Sequence, residues 1–480
     1  MEEYPGPNEE VLEAQAQVCT GPHQSRPLGK RQADPDPVRI LDLILQSARG
    51  ELVGKDQVSE AQMGAFFAAM TLRKGFGQKT GWSEAEKQAF EHYGSELARC
   101  LPEDVKFLMK PERLLQTGTR GEELVGAGLR EILAGRHLSY AQTREILEVI
   151  LAGGVRPALM AAVLIGQRMN IEDDEEVRAY LDAVVGPEEA LPLEVDSLTH
   201  FGQPFDGATR FFRPTLFVAA LRAALGRATA LHGVDEMPPK LGVTEEKILQ
   251  ALGARTDLSR EQAALLLQDR SVGLAYVSQR QYAPGAYRLR TLRHHIKKRP
   301  PWSTTEKAQQ LFVCPGPQYM VVGFYHAGYD DKLLKLMWQR NLQAALAIKG
   351  EEGSSHYALR LGKASDAERK AINFTRGFHR IDDRRQDFVA DVDPAACGFT
   401  YDQSPRPTEV SAQAFAAMGL AALAGEQGPI CDRIVFNTAM TDYWLGLCED
   451  PHRALAQARH AIDSGQALSH LQSYIDQTHS

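Results

Sequence analysis

The texture of this chain changes once, near Leu191, and that change restricts its fold more than any other feature. Before it, apolar residues recur at three- and four-residue spacing, the period of an α-helix. "VRILDLILQSARG" ends at Gly50, and "VSEAQMGAFFAAMTLRKG" begins with Ser59 as a helix cap. "WSEAEKQAFEHYGSELARCL" carries Glu86 three residues after Ser83, a capping box. After Leu191, short apolar runs of strand length alternate with helical stretches. The candidate strands are "LEVDSL", "RATALHG", "VGLAYVSQ", "YMVVGFYHA", "QAALAIKG" and "DFVADVD". Such alternation predicts a largely parallel sheet with helices on its faces. The fold class is therefore α/β, a helical N-terminal domain joined to a larger α/β domain with a mostly parallel sheet.

The helical half repeats itself. Aligning Val58 with Val155 also aligns Ala61 with Ala158, Met63 with Met160 and Ala65 with Ala162, and both copies continue into an acidic helix start. A duplicated helical hairpin accounts for this; a chance likeness of two amphipathic helices is the alternative. The expected organisation is a flexible tail or strap over residues 1–37, an additional helical hairpin segment over 38–123, a helical domain over 124–190 and the α/β domain over 191–480. The tail is rich in Pro, Gly, Gln and charge, and Pro35 and Pro37 close it.

With 43% hydrophobic and 24% charged residues, the chain has the composition of a globular protein. A net charge of -8 argues against wholesale attraction to nucleic acid, though not against a local basic patch. The six cysteines are scattered and form no CxxC pair, so neither a disulfide framework nor a zinc ribbon is expected. No signal-peptide layout and no run of about 18 apolar residues is present, so the expected location is the cytoplasm, without a membrane. No G-x-S-x-G and no H-E-x-x-H motif supports a hydrolase or a zinc protease.

"THFGQPFDGATRFFRPT", Thr199 to Thr215, joins an extended segment to the helix "LFVAALRAALG". A strand, a glycine-bearing turn and a helix start suit phosphate, because backbone amides at a helix start attract anions and glycine lets the backbone come close. Yet the turn also carries Phe201, Phe205, Phe211 and Phe212, so an aromatic-packed turn without ligand is the competing reading. Asp206-Gly207 suits a tight turn, and Thr215 offers a hydroxyl at the helix start.

Several segments together resemble the anthranilate phosphoribosyltransferases and the related pyrimidine nucleoside phosphorylases, above all their divergent paralogues. The family's loop reads GTGGDG; Gly202, Asp206 and Gly207 stand in step with it, followed by Phe211 and Thr215. The family's KHG is "LHG" here, keeping His232 and Gly233. "GVTEEKILQALG", the strand-helix-strand run from "YMVVGFYHA" to "QAALAIKG", and Asn437 in the L-N-A position extend the likeness, which runs from about Leu124 to Ile475 and lapses near 362–425. The resemblance implies that the loop holds the diphosphate of phosphoribosyl diphosphate, with magnesium on an Asp-Glu pair. That pair falls on Ser355 and His356 in "KGEEGSSHY", so the family's metal pair is absent, and Pro204 and Phe205 replace the loop's middle glycines. Glu351 and Glu352 are either substitute magnesium ligands or solvated loop charges.

"RLRTLRHHIKKRP" gathers Arg288, Arg290, Arg293, Lys297, Lys298 and Arg299. The resemblance implies that Arg293 faces an anionic acceptor. The run has three readings: acceptor or phosphate binding through Arg290, Arg293 and Lys297; nucleic-acid binding by a non-catalytic protein through Arg288 to Arg299; or a solvated helix face. The expected function is that of a diverged phosphoribosyltransferase-family protein, binding a phosphorylated ribose or nucleotide in an interdomain cleft through Gly202, Asp206, Gly207, Arg210, Thr215, His232 and Gly233. Any catalysis would be phosphoribosyl or glycosyl transfer. The resemblance also implies magnesium with phosphoribosyl diphosphate as cofactors and a homodimer.

Overall fold

The computed structural model describes residues 6–115, 119–360 and 371–479. Residues 362–370, where the family resemblance lapses, lie outside the described residues. The chain forms two compact units, one of Met1–Ala183 with Arg288–Trp302 and one of Val184–Tyr287 with Ser303–Ser480. The basic run, expected within the α/β domain, is thus an excursion that folds as part of the helical unit.

The helical unit contains α1 (Glu9–Val18), α2 (Pro37–Ala48), α3 (Glu60–Arg73), α4 (Glu84–Cys100), α5 (Glu103–Met109), α6 (Arg120–Leu133), α7 (Tyr140–Ala152), α8 (Pro157–Asn170) and α9 (Asp174–Asp182). The segment read as a flexible tail holds α1, capped by Asn8 and anchored by the buried Val11, Ala14 and Val18. Its short apolar face was hidden by a polar composition. The duplication is larger than a hairpin. Helix α1 packs on α2 and α3 as α6 packs on α7 and α8, and α2 packs on α4 as α7 packs on α9. The copies share a buried detail: each capping-box glutamate accepts the amide of a leucine in an earlier loop, Leu28 N to Glu86 at 3.0 Å and Leu138 N to Glu176 at 3.1 Å. The copies meet through α3 and α8. A Cβ on Gly64 would lie 2.1 Å from the Ala158 carbonyl oxygen, so only glycine permits this crossing.

Among the described residues the α/β unit has nine strands: β1 (Leu191–Pro192), β2 (Leu198–Gly202), β3 (Ala228–Gly233), β4 (Leu274–Ser278), β5 (Phe312–Val313), β6 (Gln318–Gly323), β7 (Ala344–Ile348), β8 (Phe374–Ile381) and β9 (Arg384–Asp391). The main sheet runs β4-β3-β2-β6-β7-β8-β9, while β1 and β5 form a separate parallel pair. Pairing is parallel from β4 through β7 and antiparallel for β8 and β9. Strand β2 is "LTHFG", not "LEVDSL". A strand flanked on both sides needs two buried faces, which β2 has at all five positions. "LEVDSL" alternates with exposed acids, and leads into the strand. Strand β8, missed in the sequence, is interrupted by Arg376, Gly377 and Arg380. It turns into β9 through Asp382 and Asp383, both at positive φ, as a two-residue hairpin requires.

Candidate active site

Strand order reverses at β2: β3 and β4 lie to one side, β6 and β7 to the other. The crevice beyond the carboxyl ends of such strands is where open α/β sheets bind ligands. The loop 203–214 leaves β2 there and enters α10 (Thr215–Ala224).

The retained glycines admit protein backbone. A Cβ on Gly202 would stand 1.7 Å from the Lys307 carbonyl oxygen. Gly207, at φ +84, lies so close to Gly242 that a Cβ would sit 2.4 Å from its carbonyl carbon. Ala208 and Val243 exchange both backbone hydrogen bonds at 2.9 Å, and Gly242 N donates to Asp206 O at 2.9 Å. Asp206 is buried, with Lys240 Nζ 3.4 Å from its carboxylate. The sequence assigned these glycines to phosphate; chain-to-chain packing already requires them.

The next three residues form an anion nest. Thr209 N (3.1 and 3.3 Å), Arg210 N (3.2 Å) and Phe211 N (3.3 Å) all donate to the Glu352 carboxylate, as does the Thr209 hydroxyl (2.7 Å). Arg210 Nε adds its charge from 3.7 Å. Glu352 reaches the nest from the loop after β7 and has a left-handed backbone, φ 58. Burial pushes its carboxyl up, but the Thr209 hydroxyl and amide, the Lys240 charge and the Arg210 amide outweigh that and hold it below the ordinary glutamate value. Glu351 beside it accepts from the buried Arg433 at 2.5 Å. Both glutamates are buried, which overturns their reading as solvated loop charges.

Arg213, 1% exposed, donates through Nε (2.9 Å) and Nη2 to Glu245, and through Nη2 to Gln203 Oε1 at 2.6 Å. The Gln203 side-chain amide donates in turn to Ser355 Oγ. His356 follows, wholly buried; burial and the charges of Arg433 and Arg213 hold it well below its ordinary pKa, so it is neutral. Asn437 clamps the next peptide, accepting from Tyr357 N at 2.6 Å and donating to Tyr357 O at 3.0 Å. The phenylalanines separate by role. Phe212 stacks on Phe217 and meets Phe415 in the core. Phe205 covers the Arg213 guanidinium at 3.8 Å, and Phe211 lies between Arg210 and Arg406.

Thr215 is buried with its hydroxyl unpartnered. His232 pairs in register with Gly202, and its carbonyl accepts from Gln203 N at 2.9 Å. Burial and the His200 ring hold its imidazole down at about 3. Gly233 abuts the Tyr276 hydroxyl. These residues and the nest lie in the α/β unit. Arg290, Arg293 and Lys297 belong to the helical unit. Their segment is not one continuous helix, because Pro284–Arg288 and Leu292–His295 are separate short turns. Nor is it bare. Arg288 Nη2 donates to Leu151 O at 2.9 Å, Lys297 Nζ lies 3.8 Å from Glu13, and Leu292 and Ile296 are buried. Sequence reasoning did not single out Arg213, Glu245 or Arg433. One signal was available, the position of Arg433 one helical turn before Asn437.

Against the outer side of the nest lies a cavity of about 630 Å³, lined by Thr209, Lys240, Lys247, Gln250 and Gln413 among others. Among the described residues, one cluster of metal-type donors occurs, His137, Asp173 and Glu176 in the helical unit. It is a capping box whose glutamate also accepts from Leu138 N and Gln167 Nε2. No helix among the described residues is long and apolar enough to cross a membrane.

Residues 128–185 match the model of a glycosyl transferase family, helical bundle domain, which places the match on the second helical copy. The anthranilate phosphoribosyltransferase of Pelotomaculum thermopropionicum is 25% identical over 364 residues, covering 74% of this chain and 97% of that protein. The Moorella thermoacetica protein of the same name is 25% identical over 362 residues, covering 73% and 98%. The chain is thus similar to the anthranilate phosphoribosyltransferases along nearly their whole length. The fold agrees. The anthranilate phosphoribosyltransferase from Thermus thermophilus superposes with a TM-score of 0.58 at 18% identity, over 74% of this chain and 99% of that one. The enzyme from Saccharomyces cerevisiae in complex with PRPP and Mg gives 0.58 at 16% identity, over 75% and 98%. What remains outside these family matches is about a quarter of the chain.

Proposed function

We propose that this chain binds a phosphorylated ribose or nucleotide beyond the carboxyl ends of β2 and β6, with its phosphate in the nest of amides 209–211. The observation that supports this is Glu352, a buried anion held by four donors in the way a phosphate oxygen would be. The cavity beside Thr209 offers room for the rest of the ligand. Gly202, Asp206, Gly207, His232 and Gly233 set the loop's path, Arg210 adds charge at the nest and Thr215 offers a hydroxyl. In this reading Glu352 stands in for the ligand's phosphate and must leave when the ligand enters. Any reaction is phosphoribosyl transfer; in the helical unit, Arg290, Arg293 and Lys297 offer positive charge to an anion.

Calorimetry with phosphoribosyl diphosphate, with and without magnesium, tests the proposal. Binding in the micromolar to millimolar range supports it; no heat from either the wild type or Glu352→Ala at millimolar ligand sinks it. A cytoplasmic location belongs to the same reading and is supported by six unpaired cysteines. The homodimer that the resemblance implies is a separate question. Light scattering over a concentration series tests it, and the mass of one chain at every concentration removes the dimer.

A further inference from the structure

The loop beyond β7 is bound to two buried guanidinium groups that no expectation from the family includes. Arg433 holds Glu351 at one end of the segment 351–355, and Arg213 reaches Ser355 at the other through Gln203. Both arginines are 1% exposed, and each has donors to spare. Arg213 uses Nε and Nη2, and its Nη1 has no partner. Arg433 uses Nη2, and its Nε and Nη1 have none. The buried Thr215 hydroxyl and His356 Nδ1 are likewise unpartnered. Glu245, which holds Arg213 through Oε1, leaves Oε2 without a partner on the same network. A buried charged donor left unmet costs more than a neutral one. A group rich in acceptor oxygens would meet several of these donors together.

Magnesium does not fit this donor set. It takes oxygen ligands, chiefly carboxylates and phosphate oxygens. Here the Ser355 hydroxyl already receives the Gln203 amide, and His356 Nε2 lies 3.1 Å from Ser354 Oγ. The Glu351 carboxylate is taken by Arg433. Two guanidinium charges beside the same segment oppose a divalent cation.

We infer that Arg213 and Arg433 form a metal-independent oxyanion subsite, in which guanidinium groups neutralise a bound diphosphate in place of a divalent cation. The inference rests on the phosphate-binding reading above and adds the source of positive charge. A guanidinium carries five N–H donors in a planar fork, so each arginine keeps its carboxylate partner and still turns free N–H groups to a phosphate.

The test is calorimetry of the full chain with inorganic diphosphate, once in EDTA and once in millimolar magnesium. Binding in EDTA within about threefold of that in magnesium is the expected result. Glu351→Gln, which frees Arg433 from its carboxylate, should bind more tightly. Arg433→Gln with Glu351→Gln keeps a neutral hydrogen-bonded pair while removing the cation, and should lose about tenfold or more in EDTA. Binding that requires magnesium overturns the inference and leaves the phosphate-binding reading standing. Binding indifferent to the double substitution overturns the assignment to Arg433. Silence in both buffers, for the wild type and for Glu352→Ala, overturns the reading underneath as well. Should the double variant fail to fold by circular dichroism, the comparison of EDTA with magnesium on the unaltered chain still decides.

Discussion

Glu352→Ala separates a structural carboxylate from one that occupies a ligand's place. The substitution removes an acceptor that serves three backbone amides and one hydroxyl. Hydrogen bonds to a charged group contribute roughly 1.5 to 3 kcal/mol each when their loss leaves donors dry. These donors would not stay dry, because Thr209 and Arg210 are exposed and water can reach the loop. The expected loss of stability is therefore about 2 kcal/mol, well short of the sum of the bonds. The freed nest should then take a dissolved anion. A contact worth about 2 kcal/mol in the closed state weakens apparent affinity about thirtyfold, so its removal should tighten phosphate binding by that order. At ten times its dissociation constant, phosphate would return about 1.4 kcal/mol to the variant. Urea unfolding at several phosphate concentrations, with chloride holding ionic strength constant, reads both quantities. The reasoning fails if the variant unfolds at the wild-type midpoint, or if phosphate shifts the two proteins equally.

Three further outcomes follow from the same geometry. The Glu352 carboxyl is held below its ordinary value, so its contribution is complete above the unfolded glutamate pKa and is lost as pH falls through the folded one; Glu352→Ala should lack that acid-side loss in urea titrations. His200 and His232 are held neutral at about 3 by burial, so between that value and the unfolded histidine pKa the unfolded chain binds more protons and stability falls with falling pH, by about 1.4 kcal/mol per unit for each. His200 stacks on Phe312 with both ring nitrogens unpartnered, so His200→Phe should keep stability at pH 7 and exceed the wild type increasingly toward pH 5, as denaturant midpoints would show. Gly202→Ala should cost about 3 kcal/mol whether or not ligand is present, because its Cβ meets the Lys307 carbonyl; a neutral effect in thermal unfolding would refute that packing role.

What the sequence disclosed follows from the range of each interaction. Helix periods, the Ser59 and Ser83 caps and most of the strands are local patterns that the structure has where they were read, although β2 begins at the last residue of the segment read for it and β9 pairs antiparallel. The exceptions have local causes too. Helix α1 lies in a polar segment anchored by only a few buried apolar residues, Val11, Ala14 and Val18, and β8 is broken up by arginines. The site was legible only as a loop. Gly202 and Gly207 announce close approach, but a glycine does not say what approaches, and here it is Lys307 and Gly242. Glu352 and Arg433 join the site from segments roughly 140 and 220 residues downstream of the loop. Nothing in their neighbouring residues distinguishes a carboxylate seated in an amide nest from one in water, since that depends on pairing set by the sheet order.

The tandem helical bundle has an effect on how the protein can vary. In an assembly of two identical chains, every substitution falls on both halves at once, so a change that suits one side is imposed on the other. Here the halves are encoded separately and always delivered one to one. The half carrying α8 can retain its family character while the half carrying α3 drifts, provided Gly64 still lets the two backbones cross.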